Sequence, residues 1–484
     1  MRVTRRRLRV GAALLVAGAL VLSGCDSTGT EAAPSPSASP TPSRTFTAGA
    51  PGAGDAYFPS YGNGGYDVAR YAVKVRYDPA KDHLAGTATV QATATADLST
   101  FNLDLAGLTV TAVTVDGAPA THRRERNELV IRPASGLVNG NGFVAEIAYE
   151  GVPKPLRNET LGEGGFLHTP DGAIALGQPE SASTWYPVND HPSDKATYDF
   201  EVTVPDGLTA VSNGVPGGKA SKDGWTTWKW SEKSPMASYL STLVIGQFRI
   251  TTATHRGKPV YSAVAIAANG SADSSIAETT KVADYLETVF GPYPFDAYGG
   301  VVVSDNRISY ALETQSRPVY SAGFFRQGVN TEVVAHELAH QWFGDSVSLG
   351  KWEDIWLNEG FATYAEWLWA EHTRKSTAKA AFDSRYAGAS AKLWKTPPGK
   401  PGAKELFSES VYQRGGMTLH ALRVAVGDKV FFQIVRAWAA EKRNGTATTA
   451  EFVALAERVS GKQLDALFDA WLYGTQRPAL PKRL

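Results

Sequence analysis

The chain of 484 residues has one cysteine, three methionines and no net formal charge, with 48 basic side chains against 48 acidic ones. A single cysteine excludes an internal disulfide framework, so the fold has to rest on a buried core. No apolar run exceeds the thirteen residues from Val10 to Leu22, which is too short for a helix to span a bilayer. The balanced charge leaves no basic surplus for nucleic acid, and no internal repeat points to a solenoid.

Composition is most uneven at the front. Arg2, Arg5, Arg6, Arg7 and Arg9 precede the apolar run, the layout of an export signal. Leu22-Ser23-Gly24-Cys25 resembles the bacterial lipoprotein cleavage box, in which the cysteine becomes the acylated first residue. That resemblance implies a signal peptide over 1–24, lipid attachment at Cys25, and an enzyme exported and anchored at the outer face of a bacterial cell membrane. Without residues 1–24 the chain carries 43 basic and 48 acidic side chains, which again disfavours nucleic acid as a partner. Residues 25–56 are rich in Ser, Thr, Pro, Ala and Gly, so a disordered linker is expected there.

Beyond the linker the pattern changes twice. Short alternating segments such as Tyr71–Tyr77, Gly86–Ala96, Thr109–Val115, Phe143–Tyr149, Thr197–Val204, Thr226–Trp230 and Ser241–Ile250 are separated by Gly, Pro and Asn. They predict an antiparallel β-rich domain over 57–254. From 255 to 484 the periodicity is mostly helical, with an amphipathic stretch at Ser275–Phe290 stopped by Gly291-Pro292, so the fold class is α+β.

The chemistry concentrates in His336-Glu337-Leu338-Ala339-His340. Residues i and i+4 share a helix face, so the two imidazoles can converge on one cation. Asn330 or Thr331 as N-cap, Glu332 in the first turn and Gly344 past the end place the pentad on a helix over Thr331–Phe343. Catalytic zinc takes three protein ligands and keeps a position for water, and two His with one carboxylate is a recurrent set. Glu359, in a second helical stretch from Asp354 to Ala370, is the third ligand expected. Glu337 would stand beside the water as general base. Glu359, Thr363 and Glu366 fall on one helix face, and Glu366 is a candidate outer partner that orients a ligand.

Eighteen residues separate His340 from Glu359, and this spacing resembles the gluzincin aminopeptidases related to aminopeptidase N and leukotriene A4 hydrolase. Three further segments are similar to that family: Gly177-Gln178-Pro179-Glu180 with the run Trp185–Ala196, the diverged loop Tyr310-Ala311-Leu312-Glu313-Thr314, and Tyr412-Gln413-Arg414-Gly415. The resemblance spans about Tyr66 to Pro478. It implies a thermolysin-like catalytic domain beneath a β saddle, one zinc per chain, and release of N-terminal residues from peptides by zinc-activated water. It further implies that Tyr412 donates a hydrogen bond to the oxyanion, and that Glu313, Glu180 and Gln178 bind the substrate's free amine end. Tyr310 and Leu312 stand where the family has Gly and Met, so side-chain preference is not implied. The family's C-terminal lid is not expected in this chain, which stops soon after Trp471–Pro478. Two alternatives remain at this level: a non-catalytic lipid-anchored peptide binder, for which Glu337 and Tyr412 would be superfluous, and a zinc endopeptidase of the same clan, which would need neither Glu313 nor Glu180.

Overall fold

The computed structural model describes residues 44–158 and 162–483; the signal segment, Cys25 and the first part of the linker lie outside them. The β-rich part is built on an eight-stranded sheet. Its order runs Val215–Lys222, Trp225–Ala237, Lys195–Pro205, Tyr66–Asp78, His83–Ala94, Gly142–Gly151, Thr109–Val115 and Ala118–Pro119. Every neighbouring pair is antiparallel except Lys195–Pro205 with Tyr66–Asp78. Alternation sets the buried face: Tyr71, Val73, Val75 and Tyr77 point into the core. A bulge between Val68 and Arg70 resets the phase, so that Val68 is also inward although it lies an odd number of positions, three, before Tyr71. Two smaller sheets complete this part, one of them Leu156–Asn158, Gly162–Thr169, Gly172–Leu176, Leu243–Gly246 and Thr209–Ser212.

The second part opens with a five-stranded sheet ordered Phe248–His255, Lys258–Ala265, Tyr298–Val303, Val319–Ser321 and Ala311–Leu312. The helix Thr279–Phe290 is inserted between the second and third of these strands, and after the sheet come Thr331–His340, Trp356–His372 and Gly415–Val426. The short strand Ala311–Leu312 forms one edge of the sheet, and both of its residues line a cavity of about 450 Å³.

Two expected boundaries move. A division at 254/255 would cut the hairpin of Phe248–His255 with Lys258–Ala265, whose eight paired positions run from Phe248 with Ala265 to His255 with Lys258. The expected strand Ser241–Ile250 is accordingly two strands in two sheets, broken at Gln247, whose amide goes to Asp171 Oδ2 (3.3 Å). The linker also ends earlier than residue 56. Thr47–Ala48 pairs with the strand Leu98–Asp104, and Asp55 is buried, accepting from the amides of Tyr57 (2.7 Å) and Trp352 (2.8 Å). Small and polar residues there form a strap through backbone and carboxylate bonds, which a reading based on apolar content does not register.

Candidate active site

The pentad lies on the Thr331–His340 helix. Asn330 caps it, its side chain accepting from the amides of Glu332 (3.1 Å) and Val333 (3.3 Å). One turn separates His336 from His340, and the Nε2 atoms of both stand 3.4 Å from the same oxygen, Oε2 of Glu359. Glu359 sits in the first turn of the Trp356–His372 helix, held against the pentad helix by stacking of Phe343 on Phe361 at 4.2 Å. Each imidazole is bonded at its other nitrogen: His336 Nδ1 to Glu366 Oε1 (2.6 Å), His340 Nδ1 to the Phe343 carbonyl (3.1 Å). Those bonds leave both Nε2 lone pairs for a ligand.

The donor set fits a cation. Burial opposes a proton on either ring, yet Glu359 and the neighbouring carboxylates outweigh it, raising His336 well above its usual range and His340 to about 9. Burial likewise opposes charge on Glu359, but the two imidazoles pull it down to about 2. With borderline-soft nitrogens, one carboxylate and three donor atoms within 4.8 Å of one another, the set suits zinc.

Around it lies a cavity of about 450 Å³ lined by Gln178, Leu312, Glu313, Glu337, Phe407 and Tyr412 among others. Burial pushes Glu337 up to about 7, against the pull of His336 and His340. Tyr412 stacks on His336 at 6.1 Å between ring centroids, and burial with nearby carboxylates keeps its phenol protonated. Glu313 is buried; its Oε1 accepts from Gln178 Nε2 (3.3 Å) and Tyr239 Oη (3.0 Å).

Residues 67–240 match the peptidase M1 N-terminal domain and residues 277–471 the peptidase family M1 domain. An M1 zinc metallopeptidase from Deinococcus radiodurans is similar with a TM-score of 0.82 and 30% identity, over 90% of this chain and 99% of that one. The chain belongs to peptidase family M1. A mutant of the Deinococcus protein solved with a Tyr-Ser-Ala substrate gives the same TM-score, 0.82, at 29% identity, over 90% of this chain and 100% of that one. Aminopeptidase N from Streptomyces lividans is 26% identical over 411 residues, 76% of this chain and 46% of that one. The chain thus spans about half the length of that curated relative.

Within this M1 site the structure brings together His336, Glu337, His340, Glu359, Glu366, Tyr412, Glu313 and Gln178. It does not bring in Glu180. That carboxylate lines a smaller adjoining pocket with Tyr61, Arg157, Glu163 and Tyr310; Gln178 and Tyr310 border both spaces. Burial, with the charge of Asp190, raises Glu180 to about 7, and a hydrogen bond from Tyr61 acts the other way.

Several residues that position the site escape sequence reasoning. Gln341 donates to the Glu313 carbonyl (3.0 Å) and accepts from the Ser316 amide (2.6 Å), fixing the loop beyond Glu313. Its place directly after His340 is the available signal. Lys195 donates to the carbonyls of Asp345 (2.7 Å) and Ser346 (3.0 Å), holding the turn after the pentad helix. Tyr239 carries no signal in the sequence, because its contact with Glu313 spans 74 positions.

Proposed function

We propose that the protein is a zinc aminopeptidase that hydrolyses the first peptide bond of peptides with a free N-terminus. The observation that carries this reading is the meeting, in one cavity, of the His336, His340 and Glu359 donor set with Glu337, Tyr412 and Glu313. When bound, zinc supplies a Lewis acid that acidifies water and polarises a carbonyl. His336, His340 and Glu359 would hold it, with Glu366 and the Phe343 carbonyl fixing the two imidazoles. Glu337 takes the proton of the attacking water and passes it to the leaving amine. Tyr412, kept neutral, donates its hydroxyl to the oxyanion. Glu313, backed by Gln178, holds the substrate ammonium, and this decides which bond reaches Glu337. Glu180 adds negative charge from the adjoining pocket. The Ala311–Leu312 edge offers backbone groups to an extended peptide.

Mass spectrometry of a peptide digest tests the proposal. Chelator-sensitive loss of residues one by one from the N-terminus is expected; internal cleavage of N-acetylated peptides at similar rates would make the protein an endopeptidase. Export and lipid attachment at Cys25 belong to the same proposal and rest on the sequence pattern alone. A mature, unmodified N-terminus beyond Cys25 would remove that part.

A further inference from the structure

Two short runs of the chain, Ser410–Arg414 and Asp469–Tyr473, are wound as π-type turns, and one guanidinium joins them. Arg414 is fully buried, and its fork is spent on backbone carbonyls. Its Nε donates to the Trp471 carbonyl (2.7 Å), one terminal nitrogen to those of Trp394 (2.9 Å) and Thr396 (3.3 Å), and the other to those of Ala470 (3.1 Å) and Gly474 (2.6 Å). The end of a helical segment leaves carbonyls without amide partners, and a planar five-donor fork can close them in a way an ammonium cannot. Burial lowers the Arg414 pKa only to about 10, so the fork stays charged at neutral pH.

What the fork pins is the turn that carries Tyr412. At the opposite end of the same turn, Ser410 Oγ also donates to the Thr396 carbonyl, at 2.6 Å. Toward the metal ligands, the turn meets the Trp356–His372 helix where Gly415 faces Gly360, one residue past Glu359. A Cβ added to either glycine would stand 2.9 Å from the other's backbone, so this contact admits no side chain. A π-type turn carries an extra residue and re-aims the chain beyond it, and such turns gather at functional sites. Here it is held on three sides.

We infer that Arg414 is a positioning residue for Tyr412: by tying the Ser410–Arg414 turn to the 394–396 and 469–474 segments, it holds the phenol over His336. The inference rests on the reading of Tyr412 as the oxyanion donor. It assigns a role in the reaction to the C-terminal segment Asp469–Gly474, which contributes no side chain to the cavity lining.

The test is steady-state hydrolysis of a free-amine tripeptide by the zinc-loaded full chain. Arg414→Lys keeps the charge and loses the fork; kcat should fall about tenfold with KM within about twofold, as expected for a displaced catalytic hydroxyl. In the Tyr412→Phe background the same substitution should change kcat less than about twofold, because the group it positions is gone. Should Arg414→Lys fail to fold, Ser410→Ala removes the other pin and should lower kcat about threefold, again silently in the Tyr412→Phe background. An undiminished loss in that background would mean that these residues act on the fold at large, and the inference falls. It falls too if the folded Arg414→Lys protein, or failing that Ser410→Ala, keeps the wild-type kcat while Tyr412→Phe does not, which leaves the reading of Tyr412 standing. A Tyr412→Phe protein with wild-type kcat would remove both.

Discussion

Two groups that line one cavity, the His336, His340 and Glu359 corner and the wall of Glu313 and Gln178 proposed to bind the substrate amine, are built by different means. In the corner, both imidazoles come from one turn of one helix, the carboxylate comes from the next long helix, and the second bond of each imidazole goes to a residue of the same stretch, Glu366 or Phe343. The wall is assembled from afar. Gln178 comes from the β-rich part, 135 positions from Glu313, and Tyr239 reaches the same oxygen from 74 positions away. The corner's ligands and the partners of its imidazoles all come from the stretch 331–372, whereas the wall depends on how the two parts of the chain pack.

The largest expected effect comes from breaking the corner's chemistry without breaking its ligation. Glu337→Gln keeps size and removes the base, so kcat should fall by about three orders of magnitude. Zinc content by metal analysis should stay near one per chain, because Glu337 is outside the His336, His340 and Glu359 set. By contrast, His336→Ala should lose the metal itself. Zinc retained in full by His336→Ala would dismantle the corner as described.

The wall should respond less, and only to substrates with a charged amine. Glu313→Gln should lower kcat/KM for free-amine peptides about a hundredfold, on the order of 3 kcal/mol, and leave N-acetylated peptides nearly unchanged. Equal losses on both substrates would show that Glu313 serves the metal side of the cavity. That outcome has a structural basis to be tested, since donor atoms of Glu313, Glu337 and His340 also lie within 4.8 Å of one another.

The same contrast explains what can be read from the sequence. The corner obeys helical periodicity, a cap and a spacing, all properties of short stretches; the Asn330 cap falls where its signal puts it, while the helix closes at His340, three residues short of the Phe343 end expected from Gly344. The strands of the large sheet are legible for the same reason, because alternation is local. Pairing between distant strands is not, and so an expected boundary cuts the hairpin from Phe248 to Ala265 and the strap at 45–56 reads as linker. Glu180 matches a motif two residues from Gln178, but a separation of two on an extended chain does not settle which space each carboxylate or amide enters. The chain turns at Pro179, and Gln178 reaches Glu313 while Glu180 meets Tyr61.

That division predicts the smallest effect and the one that separates the two layers of the wall. Glu180→Gln should cost free-amine peptides about tenfold, less than Glu313→Gln, because its charge acts from the adjoining pocket rather than from the cavity. The carboxylate of Glu180 is raised to about 7 by burial first and then by Asp190; among the described residues Asp104, Glu163 and Arg157 are further charged groups around it, and the Tyr61 hydroxyl is the bond that lowers it. Tyr61→Phe removes that bond and leaves the ring stacked on Phe58 (4.6 Å), so the strap should stay in place. The pKa of Glu180 then rises further. A raised carboxylate is charged only above that pKa, so the acid limb of kcat/KM for free-amine peptides should move to higher pH, with a loss of about threefold at pH 7 that fades as the pH is raised. The limb should stay where it is in Glu180→Gln, with or without Tyr61. A shift that survives Glu180→Gln would assign the limb to Glu337 or Glu313, and would place the strap's influence in the cavity itself rather than in the pocket beside it.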